Sequence, residues 1–263
     1  APFTEKVFKN VKSLKLIVLN STGFDFFDIK AARKNGINIA NTPAFAADAV
    51  AEHVIALILS IMKKLPICDR TVKKLPFEIN PGLDDHQIFK GEEINGKTLG
   101  IIGLGAIGLK TAELGSNLGM KVIGYTRQPK KQIKRVKLVS FKKLLRLSDI
   151  VSLHLPLTQD TKYIIDKKEL ALMKSSAIII NTARGGLINI SELYHFLKSD
   201  RIAGAGLDVF ENLSPKNPLL KLNNVIITPH SAWWTKNSLM RQANTIVQTV
   251  EAFCRKRSIN IIN

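Results

Sequence analysis

A glycine-rich segment between a predicted strand and a predicted helix constrains the fold of this chain more than any other feature. Residues 100–108 read Gly-Ile-Ile-Gly-Leu-Gly-Ala-Ile-Gly. Gly103 allows a tight turn, Gly105 lets a pyrophosphate approach the backbone, and Gly108 lets the helix pack close to the strand. The helix that begins with Ala106 and Ile107 presents unpaired N–H groups to phosphates. The segment predicts a dinucleotide-binding turn.

The chain after Gly96 alternates regularly between strand and helix patterns. Strands are predicted at residues 98–102, 121–125, 149–154, 177–181, 203–209 and 224–228. Continuous apolar runs such as 177–180 indicate strands buried on both faces, as in a parallel sheet covered by helices. The predicted fold class is therefore α/β, with a Rossmann-type doubly wound parallel sheet.

A helix is predicted from Ala47, because apolar residues recur there at helical spacing, namely Val50, Val54, Leu57, Ile58 and Ile61. This apolar face either packs within the chain or meets a twofold mate, and the second reading predicts a homodimer.

Composition narrows the setting. The chain has 39 basic and 21 acidic residues, a net charge of +18, and 2 cysteines. The basic residues form short clusters without interleaved aromatic residues, so a nucleic-acid partner is not expected. No apolar run reaches the roughly 20 residues of a membrane span, and no secretory signal opens the chain. Two distant cysteines fit a reducing compartment, which predicts a cytoplasmic location.

The second predicted strand of the sheet bears on the choice of cofactor. An enzyme that uses NAD usually ends this strand with a carboxylate that binds the ribose 2′-hydroxyl. Here Thr126 and Arg127 stand there, followed by Lys130 and Lys131. A hydroxyl and a guanidinium suit a 2′-phosphate, so NADP is favoured over NAD. The alternative is that these basic residues are simply exposed loop residues.

Three further motifs fall where strands should end on the same edge of the sheet. They are His154-Leu-Pro156, Asn181-Thr182-Ala183-Arg184 and Thr228-Pro-His230-Ser-Ala-Trp-Trp-Thr235. Together with the glycine turn and Gly206-Leu-Asp208, they resemble the D-isomer-specific 2-hydroxyacid dehydrogenase family over essentially the whole chain. The stretch 228–235 looks most like the glycerate dehydrogenase (hydroxypyruvate or glyoxylate reductase) branch, and Ser21-Thr22-Gly23 is similar to the substrate-binding turn of that branch.

The resemblance implies hydride transfer between NAD(P)H and a small 2-keto acid. Arg184 would clamp the carboxylate and carbonyl oxygens of the substrate with its planar guanidinium. His230 would protonate the developing alkoxide, since imidazole suits acid–base work near neutrality. The backbone amides of Thr22 and Gly23 would bind the substrate carboxylate. Taken singly, Arg184 could instead be a surface ion-pair residue, and His230 a capping or core histidine.

The resemblance also implies a lining for the cofactor. Asp208 would contact the nicotinamide carboxamide, and the remaining lining residues would be His154, Pro156, Thr182 and Ala183. For His154 a structural role stays open, because the family uses that stretch mainly through its backbone and shape. The other three histidines, His53, His86 and His195, are interpreted as structural or exposed.

One departure from the family concerns the partner of His230. The family pairs its catalytic histidine with a glutamate, and the position that matches this glutamate holds Leu213. The loop from Asp208 to Pro218 is shorter than usual, and Glu211 lies at the customary distance before Pro218. We therefore predict that Glu211 takes the place of the missing glutamate.

A second departure concerns the smaller domain. The resemblance implies a second, smaller, flavodoxin-like substrate domain formed by residues 1–42 and 236–263, and a dinucleotide-binding domain formed by residues 43–235. Residues 1–42 lack the opening strands and helices of such a substrate domain. The chain is therefore expected to be truncated at its start. This leaves two alternatives to an active reductase: a dinucleotide-sensing binding protein similar to the transcriptional corepressors of this fold, and an inactive truncated homologue.

Overall fold

The computed structural model describes residues 5–11, 13–24, 27–73, 84–127, 133–211, 214 and 216–263, and the structural statements below refer to these residues. The chain divides into two compact units. The first combines Ala1–Ala49 with Trp233–Asn263, and the second is Val50–Ala232. The predicted domain boundaries at residues 42 and 236 stay a prediction. The two compact units divide after Ala49, inside the helix Ala47–Met62, and after Ala232.

The helices and strands follow the predicted order along the chain. The helices are α1 (Glu5–Lys9), α2 (Ile29–Lys34), α3 (Ala47–Met62), α4 (Leu65–Val72), α5 (Ala106–Asn117), α6 (Phe141–Leu147), α7 (Lys167–Leu170), α8 (Ile190–Lys198) and α9 (Lys236–Cys254). The strands are β1 (Leu16–Val18), β2 (Asn38–Ala40), β3 (Thr98–Ile102), β4 (Lys121–Tyr125), β5 (Lys137–Leu138), β6 (Ile150–Leu153), β7 (Ile178–Asn181), β8 (Gly204–Leu207) and β9 (Val225–Ile227). Short 3₁₀ segments lie at Asp84–Phe89, Gly185–Leu187 and Pro218–Lys221.

The first unit is built on two parallel strands, with β1 paired to β2. A small apolar core lies around them and contains Phe8, Leu19, Ala31, Ala32, Ile37 and Ile39. The long helix α9 begins at a capping box, in which the Thr235 side chain accepts the N–H of Ser238. The Gln242 side chain of α9 donates to the carbonyl of Asn20, so the helix is tied to the end of β1.

The second unit is a seven-stranded parallel sheet in the order β5-β4-β3-β6-β7-β8-β9. Every residue of β6, β7 and β8 is buried, as expected for strands covered on both faces. The chain moves outward from β3 to β5 and then returns to the other side of β3 at β6. In doubly wound sheets, ligands bind beyond the carboxyl ends of the strands at such a reversal, which here lies between β3 and β6. The Rossmann prediction is confirmed.

Strand β5 was not predicted. It has only two residues, Lys137 and Leu138, of which the lysine is exposed and the leucine half-buried. A strand this short at the edge of a sheet leaves no apolar run or alternation in the sequence. Its pairing with β4 is what defines it.

The apolar face of α3 packs inside the chain. Val54 and Ile58 are 0% exposed and Leu57 is 3% exposed. The homodimer prediction used this face as the contact surface, so that part of the prediction is wrong. The physical reason is a close approach to β8, because Gly206 has no side chain and a Cβ there would lie 3.2 Å from that of Leu57. Among the helices that the structure describes, none is long and apolar enough to cross a bilayer.

Candidate active site

The glycine turn connects β3 to α5 and leaves the start of the helix open. Gly103 has φ +97°, and a Cβ there would collide with the backbone carbonyl of His154. A Cβ at Gly108 would collide with the carbonyl of Gly103. At Gly105, the N-cap of α5, a Cβ would meet nothing within 4 Å. Gly103 and Gly108 are therefore required by packing. Gly105 keeps space free at the N–H groups of Ala106 and Ile107, which fits a pyrophosphate.

His154 follows β6 and forms part of the wall beside this turn. Its Nε2 lies 2.9 Å from the hydroxyl of Ser152, and its backbone N–H donates to Ile102. Burial lowers the pKa of His154 to about 3, so the ring is neutral near pH 7. His154 therefore lines the site as an uncharged side chain and does not donate a proton at that pH. Pro156, two residues on, is exposed.

Thr182 carries a polar atom that lacks a partner. Its Oγ1 is buried and makes no hydrogen bond within the described part of the chain. An unsatisfied buried hydroxyl costs about 1–3 kcal/mol, so its presence calls for an explanation. The neighbouring turn is held by Asn181, whose side chain donates to the carbonyl of Arg184 and accepts the N–H of Ala183. A polar group of a bound dinucleotide at this sheet edge would satisfy the hydroxyl.

Thr126 and Arg127 follow β4, as predicted, and no carboxylate ends that strand. The guanidinium of Arg127 lies 3.0 Å from the carboxylate of Asp160, with the two side chains 55% and 77% exposed. An ion pair this exposed contributes about 0–1 kcal/mol, so a stronger anion can displace Asp160. Thr126 borders a cavity of roughly 300 Å³ that is also lined by Gly124, Tyr125, Leu138, Val139 and Ser140. Lys130 and Lys131 lie outside the described residues.

Arg184 lies between β7 and the 3₁₀ turn at Gly185–Leu187. Its backbone is extended, with φ −147°, and its side chain is half-buried. One guanidinium nitrogen donates to the carbonyl of Ala183 at 2.8 Å. The residue therefore stands at the same carboxyl edge of the sheet as the glycine turn.

His230 follows β9 in the second unit, and the residue is exposed. Its backbone is held by Asp208. The carboxylate of Asp208 accepts the Thr228 hydroxyl at 2.5 Å, the Ser231 N–H at 2.9 Å and the Ala232 N–H at 3.1 Å. The carbonyl of Asp208 accepts the N–H of His230 at 2.9 Å. His230 itself has φ +56°, a left-handed conformation that few residues other than glycine adopt without support. Asp208 therefore fixes the loop that carries His230.

Glu211 does not pair with His230 in the structure. Its carboxylate lies over the turn after Arg184, since a Cβ added at Gly186 would be 2.5 Å from Glu211 Oε1. Within the part of the chain described, no ion pair of 4.0 Å or less joins Glu211 to His230. Leu213, the position that matches the family's glutamate, lies outside the described residues. The role of Glu211 stays a prediction.

The turn of Thr22 and Gly23 belongs to the first unit and is held by side-chain hydrogen bonds. The Thr22 hydroxyl donates to the carbonyl of Thr42, and the Asn41 side chain donates to the carbonyl of Thr22. Ser21 closes the turn with a hydrogen bond from its hydroxyl to the carbonyl of Gly23. Among the hydrogen bonds of the described residues, none uses the backbone N–H of Thr22 or Gly23 as donor. Both amides thus have unused donor capacity.

Sequence reasoning missed the contacts of His53. This histidine was interpreted as structural or exposed, yet its Nε2 lies 3.0 Å from the Thr228 hydroxyl and 3.7 Å from the Asp208 carboxylate. No motif around His53 could have revealed this, because the two chain segments are far apart in sequence. In the described ranges no group of three or more histidine, cysteine, aspartate or glutamate residues could hold a metal ion.

An open glycine turn at the switch point of a doubly wound sheet, with an unsatisfied threonine, an arginine and a histidine on the same edge, defines an NAD(P)-dependent oxidoreductase. The sequence model of the D-isomer specific 2-hydroxyacid dehydrogenase NAD-binding domain matches residues 55–232. The chain belongs to this family. The predicted family, enzyme class and use of NAD(P) are therefore confirmed.

Curated relatives carry related names. The chain is 37% identical to glyoxylate reductase of Aeropyrum pernix, over 95% of this chain and 76% of that protein. It is 34% identical to hydroxypyruvate reductase of Blautia hydrogenotrophica, over 100% of this chain and 82% of the relative. Glycerate dehydrogenase of Methylorubrum extorquens is 36% identical, over 99% and 82%.

Solved structures agree in fold. An acyclic imino acid reductase in complex with NADPH and D-arginine superposes with a TM-score of 0.91 at 36% identity, covering 100% of this chain and 83% of that chain. D-lactate dehydrogenase from Aquifex aeolicus, complexed with NAD and lactic acid, superposes with a TM-score of 0.86 at 36% identity, covering 97% and 80%. Both nicotinamide cofactors therefore occur on this fold.

Proposed function

We propose that this protein reduces hydroxypyruvate or glyoxylate with NAD(P)H, giving D-glycerate or glycolate, and that the reaction is reversible. The observation that carries the proposal is the common edge of the sheet: Arg184 follows β7, His230 follows β9, and the glycine turn follows β3. A cation for a carboxylate, a proton donor and a dinucleotide turn thus share one edge. The names of the curated relatives support this choice of substrate.

Each residue has a proposed task in this reaction. When bound, the nicotinamide ring supplies the hydride. Arg184 binds the substrate carboxylate and carbonyl oxygens, and His230 gives its proton to the carbonyl oxygen as it becomes an alkoxide. We assign the free backbone amides of Thr22 and Gly23 to the substrate carboxylate.

The cofactor pocket is proposed to contain Gly103, Gly105 and Gly108 with the start of α5, together with His154, Pro156, Thr182 and Ala183. Asp208 already accepts three donors, and Oδ2 accepts only one of them, the N–H of Ala232. Because the Asp208 side chain is 1% exposed, the proposed contact with the nicotinamide carboxamide rests on the family resemblance.

The preference for NADP over NAD is part of the proposal. It rests on the absence of a carboxylate after β4 and on the exposed guanidinium of Arg127. Glu211 is proposed to act on His230 only if its loop moves, since its carboxylate now lies over Gly186. A Glu211→Gln variant with an unchanged rate and pH profile would remove Glu211 from the mechanism.

The deciding experiment follows the oxidation of NADPH and of NADH with hydroxypyruvate and with glyoxylate. We expect turnover with both keto acids and a higher kcat/KM for NADPH. Equal efficiency with the two cofactors would contradict the NADP preference alone. Tight NADPH binding without turnover of any 2-keto acid would contradict the reductase and favour a nucleotide sensor or an inactive homologue.

Homodimerisation and a cytoplasmic location are also proposed. Because α3 buries its apolar face within the chain, the dimer proposal rests on the resemblance of α3 to the dimerisation helix of the family and not on an exposed face. Light scattering should give twice the monomer mass, and a monomeric mass would contradict the proposal. Cys68 and Cys254 are free thiols, which fits a reducing compartment.

A further inference from the structure

We propose that His53 is a positioning residue for the proposed reaction, acting on His230 through Thr228 and Asp208. The inference rests on the proposed function, because it assigns His53 a task in the proton transfer. His53 does not need to touch substrate or cofactor for this task. It supplies the outermost hydrogen bond of a hydrogen-bond chain that runs through Thr228 and Asp208 to the loop of His230.

Packing of α3 brings His53 to the carboxyl ends of β8 and β9. The side chain is 22% exposed, so it is largely enclosed. Helix α3 can lie this close because Gly206 of β8 presents no side chain to Leu57. As a result the imidazole Nε2 reaches both the Thr228 hydroxyl, at 3.0 Å, and the Asp208 carboxylate, at 3.7 Å.

The hydrogen bonds of this group have a defined direction. Both oxygens of Asp208 accept backbone N–H groups, from Ser231 and Ala232, so Asp208 acts as an acceptor. The single hydroxyl proton of Thr228 is therefore donated to Asp208. The Thr228 oxygen can then only accept from His53, and this requires a proton on Nε2 of His53. The chain runs from His53 to Thr228 to Asp208.

Asp208, at the end of this hydrogen-bond chain, holds the loop that positions His230. The Asp208 side chain is 1% exposed, and a buried carboxylate is stable only when donors surround it. Its donors are the Thr228 hydroxyl and two amides of the His230 loop, and its own carbonyl holds the N–H of His230. This loop keeps His230 at φ +56°, a left-handed backbone conformation that is unfavourable for a residue other than glycine. A loosened carboxylate would let the loop relax and the imidazole move.

Two substitutions of His53 separate hydrogen bonding from the filling of space. In His53→Gln the side-chain amide can place an N–H near the position of imidazole Nε2. In His53→Phe the ring volume is kept and the donor is lost. Thr228→Val removes the connecting hydroxyl at nearly constant shape. His195→Phe, on an exposed position of α8, is the matched control.

The experiment measures kcat and KM with hydroxypyruvate and NADPH. We expect His53→Phe to lower kcat about 10-fold to 100-fold, since misplacement of a proton donor by about 1 Å has effects of that order. KM for hydroxypyruvate should change less than about 3-fold, and His53→Gln should recover kcat to within about 3-fold of the original protein. The double variant His53→Phe, Thr228→Val should be no worse than the poorer single variant, because both act through one chain.

Amide hydrogen exchange at Ser231 and Ala232 gives a readout that does not need activity. Exchange at both amides should accelerate about 10-fold in His53→Phe and in Thr228→Val, and should stay unchanged in His53→Gln and His195→Phe. If the protein turns over no keto acid, the proposed function fails. Amide hydrogen exchange still tests the hydrogen-bond chain from His53 to Asp208. If His53→Phe does not fold, Thr228→Val and His53→Gln decide.

Three results would overturn the proposal. The first is full activity and normal exchange in His53→Phe. The second is an equal loss in His53→Gln and His53→Phe, which would make the role one of packing. The third is additive losses in the double variant, which would mean that His53 and Thr228 act independently.

Discussion

The two ends of the sheet edge differ in how firmly their side chains are held. At the β8–β9 end, the Asp208 side chain is 1% exposed and three donors surround its carboxylate. At the β4 end, Arg127 is 55% exposed and pairs with an Asp160 that is 77% exposed. The β8–β9 end is therefore buried within the second unit, and the β4 end faces water.

This contrast matches the tasks proposed for the two ends. Proton transfer depends steeply on distance and angle, so its donor requires a fixed loop. Selection between two cofactors that differ by one phosphate requires only a charge near the right place, which a flexible exposed side chain can supply. Substitutions at the β8–β9 end should therefore change the rate of chemistry, and those at the β4 end should change the choice of cofactor.

The largest effect is expected for His230→Asn. Asparagine tolerates the left-handed backbone that residue 230 adopts, so the loop should keep its shape. Loss of the proton donor should lower kcat about 10²-fold to 10⁴-fold. Binding of NADPH, titrated by its fluorescence, should stay within about 3-fold of the original dissociation constant. A kcat reduced by less than about 10-fold would mean that another group protonates the product.

The second effect concerns His154, which stands between the two ends. Its folded pKa of about 3 lies below the ordinary value of 6.5, so the unfolded chain binds the extra proton first as pH falls. Stability should therefore be complete above pH 6.5 and decline below it, by about 1.4 kcal/mol per pH unit, until pH 3. Urea unfolding at pH 7 and pH 5 should show a loss about 2 kcal/mol larger for the original protein than for His154→Asn. Equal losses in the two proteins would mean that His154 keeps an ordinary pKa.

The third effect tests the exposed end. Arg127→Ala should lower kcat/KM for NADPH about 10-fold, the order expected for one lost phosphate contact, and leave that for NADH within about 2-fold. The maximal rate at saturating NADPH should not change. Arg146→Ala, another exposed arginine, on α6, serves as the control. A matching fall for both cofactors would show that Arg127 does not distinguish them.

The smallest effect is expected for Thr182→Val. The substitution should keep or raise the stability of the protein without cofactor and should lower its affinity for NADPH. Removing the unsatisfied hydroxyl should leave the protein without cofactor equally stable or up to about 1 kcal/mol more stable. Affinity for NADPH should fall about 3-fold, because the cofactor loses a hydrogen-bond partner. Calorimetry with and without NADPH measures both. Unchanged affinity would leave the buried hydroxyl unexplained by the cofactor.

Much of the fold could be predicted because its signals are local. The glycine turn and the strands at 98–102 and 121–125 are continuous patterns, and the structure has both strands at those residues. Strand β5 escaped because two residues carry no periodicity. The burial of the α3 face was left open, since an apolar stripe has the same sequence whether it meets its own chain or another.

The contacts within the site were harder to predict because they join distant segments. His53 and Thr228 are 175 residues apart, and Arg127 and Asp160 are 33 apart. Residue types suggested which side chains carry chemistry, as with Arg184 and His230. They gave no distance, and so the predicted pairing of Glu211 with His230 has no counterpart in the observed contacts.

Because the buried hydroxyl of Thr182 lacks a partner without cofactor, we expect the abundance of this protein to depend on the supply of its cofactor. A ligand present at one hundred times its dissociation constant stabilises the folded state by about 2.7 kcal/mol. In a cell depleted of the nucleotide, that protection is lost while the cost of the unsatisfied hydroxyl remains. Proteases remove unfolded chains continuously, so we expect the amount of enzyme, and not only its rate, to follow the nucleotide pool.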